Sequence, residues 1–238
     1  MREKPRGADV EMDLYVTLEE LYVGNFVELS RSKLSYKETH GTRECNCRWE
    51  MIRKPMGPGR FQMYQKEVCD ECPNVKLVRE EHRMDVEIEI GMEDGMEKRF
   101  DGEGEPHIDG EPGDLVFNIK QTPHPVFLRK NDDLYCNLTI SLLDALSGFE
   151  MEFEHLDGHK VKITREKITF PGARIRKKGE GMPNYDNNNH FGTLFISFDV
   201  AFPKGGLSEE EKKVAKKLLK QASINKLYNG LEGFTSHL

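Results

Sequence analysis

Four cysteines stand in two close pairs, Cys45-Asn-Cys47 and Cys69-Asp-Glu-Cys72. Between them lies a stretch containing Pro55, Gly57, Pro58 and Gly59, the composition of a hairpin excursion. Four thiolates at this spacing could hold zinc tetrahedrally or could pair as disulfides. C-x-x-C is ordinary zinc spacing, but C-x-C offers poorer ligand geometry. A thioredoxin-like redox role for Cys69 and Cys72 would need a helix N-terminus beneath them to lower a thiol pKa. Pro73 and Asn74 follow directly with no helical periodicity, so the redox reading is disfavoured. His155 and His159 are four apart, which would suit a metal on a helix face. The intervening Leu156-Asp-Gly158 is a turn signal, so the two histidines are expected to flank a hairpin. Gly102-x-Gly104 does not follow a strand and open a helix, so it is no nucleotide loop. G-x-S-x-G and H-E-x-x-H patterns are absent. No enzyme activity and no cofactor are expected.

The elements that must carry these residues are mostly strands. Val10–Leu18, Arg83–Ile90 and Leu194–Phe202 alternate apolar and polar residues, the pattern of half-buried strands, and Leu115–Ile119 is a short apolar strand. A repeat emerges when the halves are compared. Val16-Thr-Leu-Glu-Glu-Leu-Tyr-Val-Gly24 resembles Ile140-Ser-Leu-Leu-Asp-Ala-Leu-Ser-Gly148: a strand end, a helical turn, then glycine. Gly102-Glu-Gly-Glu-Pro106 and Gly113-Asp-Leu-Val-Phe117 are matched, in the same order, by Gly179-Glu-Gly-Met-Pro183 and Gly192-Thr-Leu-Phe-Ile196. The expected fold is mainly β. It has two tandem β-sandwich-like domains, a cysteine-containing hairpin insert in the first (about 41–78) and a C-terminal amphipathic helix. The expected boundaries are 8–122, 123–204 and 205–238, with Thr122-Pro-His-Pro125 as a stiff linker. Ser208 and Glu211 form a capping box for the helix, and Val214, Ala215, Leu218, Leu219 and Ala222 form its apolar stripe.

The 238 residues carry a net charge of -7 with both signs interspersed, which argues against a nucleic-acid partner. The basic run Arg174–Lys178 reads as a solvated strand edge, where lysines discourage sheet aggregation. Mean hydropathy is -0.67, and no apolar run approaches the ~20 residues of a membrane span, so no membrane association is expected. Met1–Gly7 lacks the apolar region of a secretory leader. The closing Gly233–Leu238 is not a K-D-E-L-type signal.

His124-Pro-Val-Phe-Leu-Arg-Lys-Asn-Asp-Asp-Leu134 resembles the H-P-x-F-x-R-x-x-x-D-L signature joining the two C-terminal domains of DnaJ-type (heat-shock protein 40 family) co-chaperones. Gly113-Asp-Leu115, Leu156-Asp-Gly158 and Gly179–Pro183 are similar to that family as well. Phe61-Gln-Met63, Val68–Val78 and Tyr185-Asp-Asn-Asn-Asn189 are similar to its endoplasmic-reticulum luminal branch. The resemblance covers roughly Val10 to Leu219. It implies a homodimer, paired through the C-terminal segment, that holds unfolded polypeptide clients for the luminal 70-kDa heat-shock chaperone BiP. One departure is large: His124-Pro125 is followed by Val126, and these residues contain no H-P-D tripeptide and no J domain. This segment is therefore expected to bind clients without stimulating the partner's ATPase.

The resemblance also implies a client pocket in the first domain, which falls on Met12, Leu14, Leu29 and Phe117. Met12 and Leu14 share a strand face, although all four also suit ordinary core. A luminal location, together with the glycosylation sequon Asn137-Leu-Thr139, favours disulfides over zinc for Cys45, Cys47, Cys69 and Cys72. The connectivity is open, with closure within each pair preferred. Cys136, in an apolar strand, is expected to be a buried free thiol. The rival readings are a cysteine-rich zinc or thiol-redox module and a structural, adhesion-like β protein.

Overall fold

The computed structural model describes residues 4–57 and 60–220. The chain divides into two compact units, Met1–Val200 and Ala201–Leu238. Within the first unit, each half opens with the same construction. β1 (Val10–Val16) runs into the short helix α1 (Leu18–Val23), and β7 (Asp133–Ser141) runs into α2 (Leu142–Ser147). Six-residue helices are too short to persist alone, so capping and packing must hold them. The Thr17 and Ser141 hydroxyls accept the backbone N–H of Glu20 and Asp144. Gly24 and Gly148 end the helices at φ 83° and 86°, a region open to glycine and strained for other residues. Leu18, Leu21 and Ala145 point into the core.

The sheets repeat as well. β5 (Leu115–Gln121) lies between parallel β1 and antiparallel β4 (Glu97–Phe100). In the second half, β11 (Phe191–Ala201) lies between β10 (Arg174–Pro183) and β7, with β6 (Leu128–Lys130) beyond β7. A Cβ on Gly104 would strike the backbone of Gly113 and Asp114. One on Gly181 would strike Gly192 and Thr193, so the matched glycines serve matched close approaches. Each half also holds one antiparallel hairpin after its helix. In the second half it is β8 (Phe149–Glu154) with β9 (Lys160–Arg165). In the first it is β2 (Asn25–Gly57) with β3 (Arg60–Ile88), of 33 and 29 residues. The cysteine segment is thus an extension of a hairpin that both halves possess.

Leu14, Val16, Phe117 and Ile119 from the first half and Leu134, Ile163, Ile196 and Phe198 from the second belong to one buried cluster. The basic run 174–178 lies on β10, an edge strand, as its composition predicted. In the second unit, α3 (Glu209–Leu219) starts at the predicted capping box of Ser208 and Glu211. Val214 and Leu218 are exposed. Ala222 lies outside the described residues. No described helix is long and apolar enough to cross a membrane.

Asp114, at the start of β5, is buried yet charged. Its carboxylate pairs with Arg6, accepts the Gly102 N–H at 3.0 Å and faces Arg99 at 3.2 Å. The Arg6 contact first, then the Gly102 N–H, holds its pKa below the usual carboxylate range. The native state therefore releases this proton more readily than the unfolded chain. The stabilisation is fully present above the unfolded carboxylate value of about 3.9 and is lost as pH falls through the depressed native value. Urea midpoints measured from pH 6 down to pH 2 should fall less steeply below pH ~4 in Asp114→Asn than in the parent.

Candidate functional site

Met12 and Phe117 are register partners on adjacent strands, and Leu14 follows two residues on along the same face. β1 is the outer strand of its sheet, so its second side carries no sheet partner among the described residues. Side-chain depth differs sharply along this face. Met12 is 42% exposed, whereas Leu14 is 7% and Phe117 2% exposed. Leu29 is half-buried against the same cluster, on β2 opposite Met84. Phe100 closes on Phe117 edge-to-face, with ring centroids 5.9 Å apart. The four predicted pocket residues therefore comprise one accessible methionine, two residues of the core and one at its margin. A groove of about 740 Å³ lies elsewhere, lined by residues 23–26, 87–90, Tyr185 and Asn188.

The hairpin β2–β3 forms a two-stranded arm. Lys33 (2.6 Å) and Arg31 pair with Glu103, and Arg43 with Asp109, anchoring its base to the 101–114 loop. The cysteines pair across the arm, Cys45 with Cys72 and Cys47 with Cys69, rather than closing within each pair. The preference for local closure is thus corrected. Residues two apart on an extended strand are separated by about 6.6 Å and face the same way, while opposite strands approach to about 5 Å. Two register shifts, at Thr39/Thr42 and Cys45/Arg48, bring the pairs into reach. Asn46 takes φ 48° in the second. With all four sulfurs in disulfides, no thiolate set for zinc remains.

Beyond the bridges, Trp49, Met51, Phe61 and Met63 are each more than half exposed. Their register partners are Glu67, Gln65, Pro55 and Arg53, and strand alternation puts all eight on one face. This apolar stripe was missed in the sequence, although its i, i+2 spacing in both strands is the signal that reveals it.

The junction between the halves is built by residues 124–134. His124 Nδ1 accepts the N–H groups of Val126 and Phe127, at 3.1 and 2.9 Å, and its ring stacks on the buried Phe127. The Arg129 guanidinium donates to the carbonyls of Gly91 (2.9 Å) and Met92, two buried residues of the first half. Asp133 accepts the Thr193 N–H at 2.8 Å, and Leu134 is fully buried. Every named position of the signature except Pro125 thus has a structural task. Tyr185 adds a second bridge by donating to Glu89 at 3.0 Å.

A family model of the DnaJ C terminal domain matches residues 10–203. The chain belongs to this family. It is 66% identical over 230 residues to "DnaJ homolog shv" of Drosophila melanogaster, covering 97% of this chain and 65% of that protein. It is 61% identical over 233 residues to "DnaJ homolog subfamily B member 11" of Homo sapiens, covering 98% and 65%. "DnaJ homolog dnj-20" of Caenorhabditis elegans is 59% identical over 228 residues, covering 95% and 64%. The chain spans about 65% of the length of the curated relatives it matches. Asp132, beside the Asp133 of the signature, also serves the junction by accepting the Met182 N–H at 2.8 Å on its carbonyl.

Two further sequence expectations concern single residues of β7. Cys136 is a buried free thiol whose pKa is pushed up to about 11 by burial. Asn137, next to it, is exposed.

Proposed function

We propose that this segment is the client-holding part of a J-domain co-chaperone. Unfolded polypeptide adds as a strand along the open side of β1, where backbone hydrogen bonds give affinity without demanding a sequence. A hydrophobic client side chain then rests on Met12, above a floor of Leu14, Leu29 and Phe117. A flexible thioether at the mouth suits varied side chains. The observation that carries this reading is an accessible methionine on a sheet edge, in register with a buried phenylalanine. In the same reading, residues 8–122 and 123–204 act as two domains and the C-terminal segment 205–238 pairs two copies. The protein works in the endoplasmic-reticulum lumen, with Asn137 glycosylated, and passes clients to BiP.

An aggregation-suppression assay with a denatured, reduced-and-alkylated client tests the proposal. Met12→Asp should weaken suppression about tenfold, the scale of losing ~1.4 kcal/mol of apolar burial, while its thermal midpoint stays near the parent's. Val126→Asp, at a site 54% exposed elsewhere, should suppress like the parent. Equal suppression by Met12→Asp and parent would overturn the β1 site. Phe117→Asp is a poor probe, because it buries a charge in the core. The exposed stripe of Trp49, Met51, Phe61 and Met63 favours a second reading, in which the arm's face also contacts clients.

A further inference from the structure

The β8–β9 turn gathers two histidines and two carboxylates. His155 and His159 flank it as the sequence predicted, with the His155 N–H donating to the His159 carbonyl at 2.8 Å. Their rings stack with centroids 4.8 Å apart. The His155 side chain is fully buried, and its Nε2 lies 3.0 Å from the Glu180 carbonyl oxygen. A carbonyl only accepts, so Nε2 carries the proton and Nδ1 presents a bare lone pair. That Nδ1 is buried without a hydrogen-bond partner, 4.0 Å from the Asp157 carboxylate. His155 Nδ1 and the Asp157 oxygen are thus two acceptors with no hydrogen placed between them, an arrangement that a cation would satisfy. His159 differs: its Nε2 faces the Glu180 carboxylate at 2.9 Å and its Nδ1 the same Asp157 oxygen, so both ring nitrogens carry hydrogens and a metal at Nδ1 would displace one of them.

We propose that this turn is a binding site for a divalent transition metal, with His155 Nδ1, Asp157 Oδ1 and His159 Nδ1 as its ligands. The three atoms lie within 4.8 Å of one another. Ligands about 2.0–2.1 Å from a tetrahedral ion are about 3.3 Å apart, so His155 Nδ1 must approach the other two atoms by up to about 1.5 Å while the His159–Asp157 pair opens to admit the ion. Glu180 is a positioning residue. Its backbone carbonyl holds one imidazole and its carboxylate the other, the outer-shell arrangement that fixes tautomer and orientation in metal sites. Two nitrogens and one oxygen select zinc, cobalt, nickel or copper over calcium and magnesium, which prefer all-oxygen sets. The other close group, Cys47, Glu67 and Cys69, has its two sulfurs in a disulfide. The site also lies at the junction of the halves. The His155 ring packs 5.1 Å from Tyr22 of α1 and 5.4 Å from Phe127, so a bound ion would brace the turn against both.

The test uses the tag-free, fully oxidised chain, dialysed against zinc and then assayed for bound metal. Cobalt absorption serves as a second readout. One zinc per chain is expected, with cobalt bands free of thiolate charge transfer. His155→Ala removes a buried ring, so the accessible ligands carry the test. Asp157→Asn and His159→Gln should each lose at least tenfold in affinity with an unchanged circular-dichroism spectrum. Glu180→Ala should lose about 10–100-fold, and Glu180→Gln, which keeps an acceptor, should recover most of it. The joint Cys47→Ser, Cys69→Ser variant should bind zinc like the parent. The site is ruled out by no retained zinc in the parent, by undiminished binding in both ligand variants, or by loss only in the cysteine variant.

Discussion

Arg129→Ala should lower the unfolding free energy of the β-rich unit by about 3 kcal/mol, because two charge-assisted hydrogen bonds to buried carbonyls are lost together. The Gly91 and Met92 carbonyls would be left without the guanidinium that now satisfies both. Burial already pulls the Arg129 pKa down, a sign that this cation is held at a desolvation cost that Glu93 and Asp132 only partly offset. Lysine has the charge but not the planar fork, so Arg129→Lys should recover only part of the loss. Urea unfolding by circular dichroism measures both variants. A loss below about 0.5 kcal/mol, typical of surface sites, would show that the junction is held elsewhere, for instance by Tyr185 and Glu89.

The second large effect is confined to the arm. A two-stranded ribbon in water is marginal by itself, and among the described residues the strands beyond the 101–114 loop pair only with each other. The bridges close separations of 22 and 27 residues, for which chain-entropy estimates give roughly 3 kcal/mol each. Replacing all four cysteines by serine should therefore open the arm from about Arg43 to its tip, while the β1-β5-β4 sheet stays folded. Limited trypsin digestion should show new cleavage at Arg48, Arg53 or Lys66, with the thermal midpoint of the remaining unit changed little. An arm equally resistant in both proteins would mean that strand pairing alone suffices.

Much of this architecture was legible in the residues. The matched segments Val16–Gly24 and Ile140–Gly148 pointed to two equivalent helical turns, each ending at a glycine, because the pattern that ends a helix is local. The signature at 124–134 pointed to a junction, and Leu156-Asp-Gly158 to a hairpin turn. The bridge connectivity was not legible. It depends on register shifts at Thr39/Thr42 and Cys45/Arg48, which only the paired strand reveals. Alternation put Met12 and Leu14 on one face but could not give depth, so a core phenylalanine and an accessible methionine read alike. Glu180 was invisible as the partner of His155 and His159 because it arrives from β10, across the sheet order rather than along the chain.

Hydrogen exchange of the parent chain, with and without excess denatured client, tests the central claim most directly. Client added as a strand on β1 must engage its outward N–H groups, so peptides covering residues 10–16 should exchange more slowly when client is present, with the strongest slowing around Met12. Unchanged exchange across 10–16, with slowing confined to residues 48–65 of the arm, would contradict the account and move client capture to the face of Trp49 and Phe61.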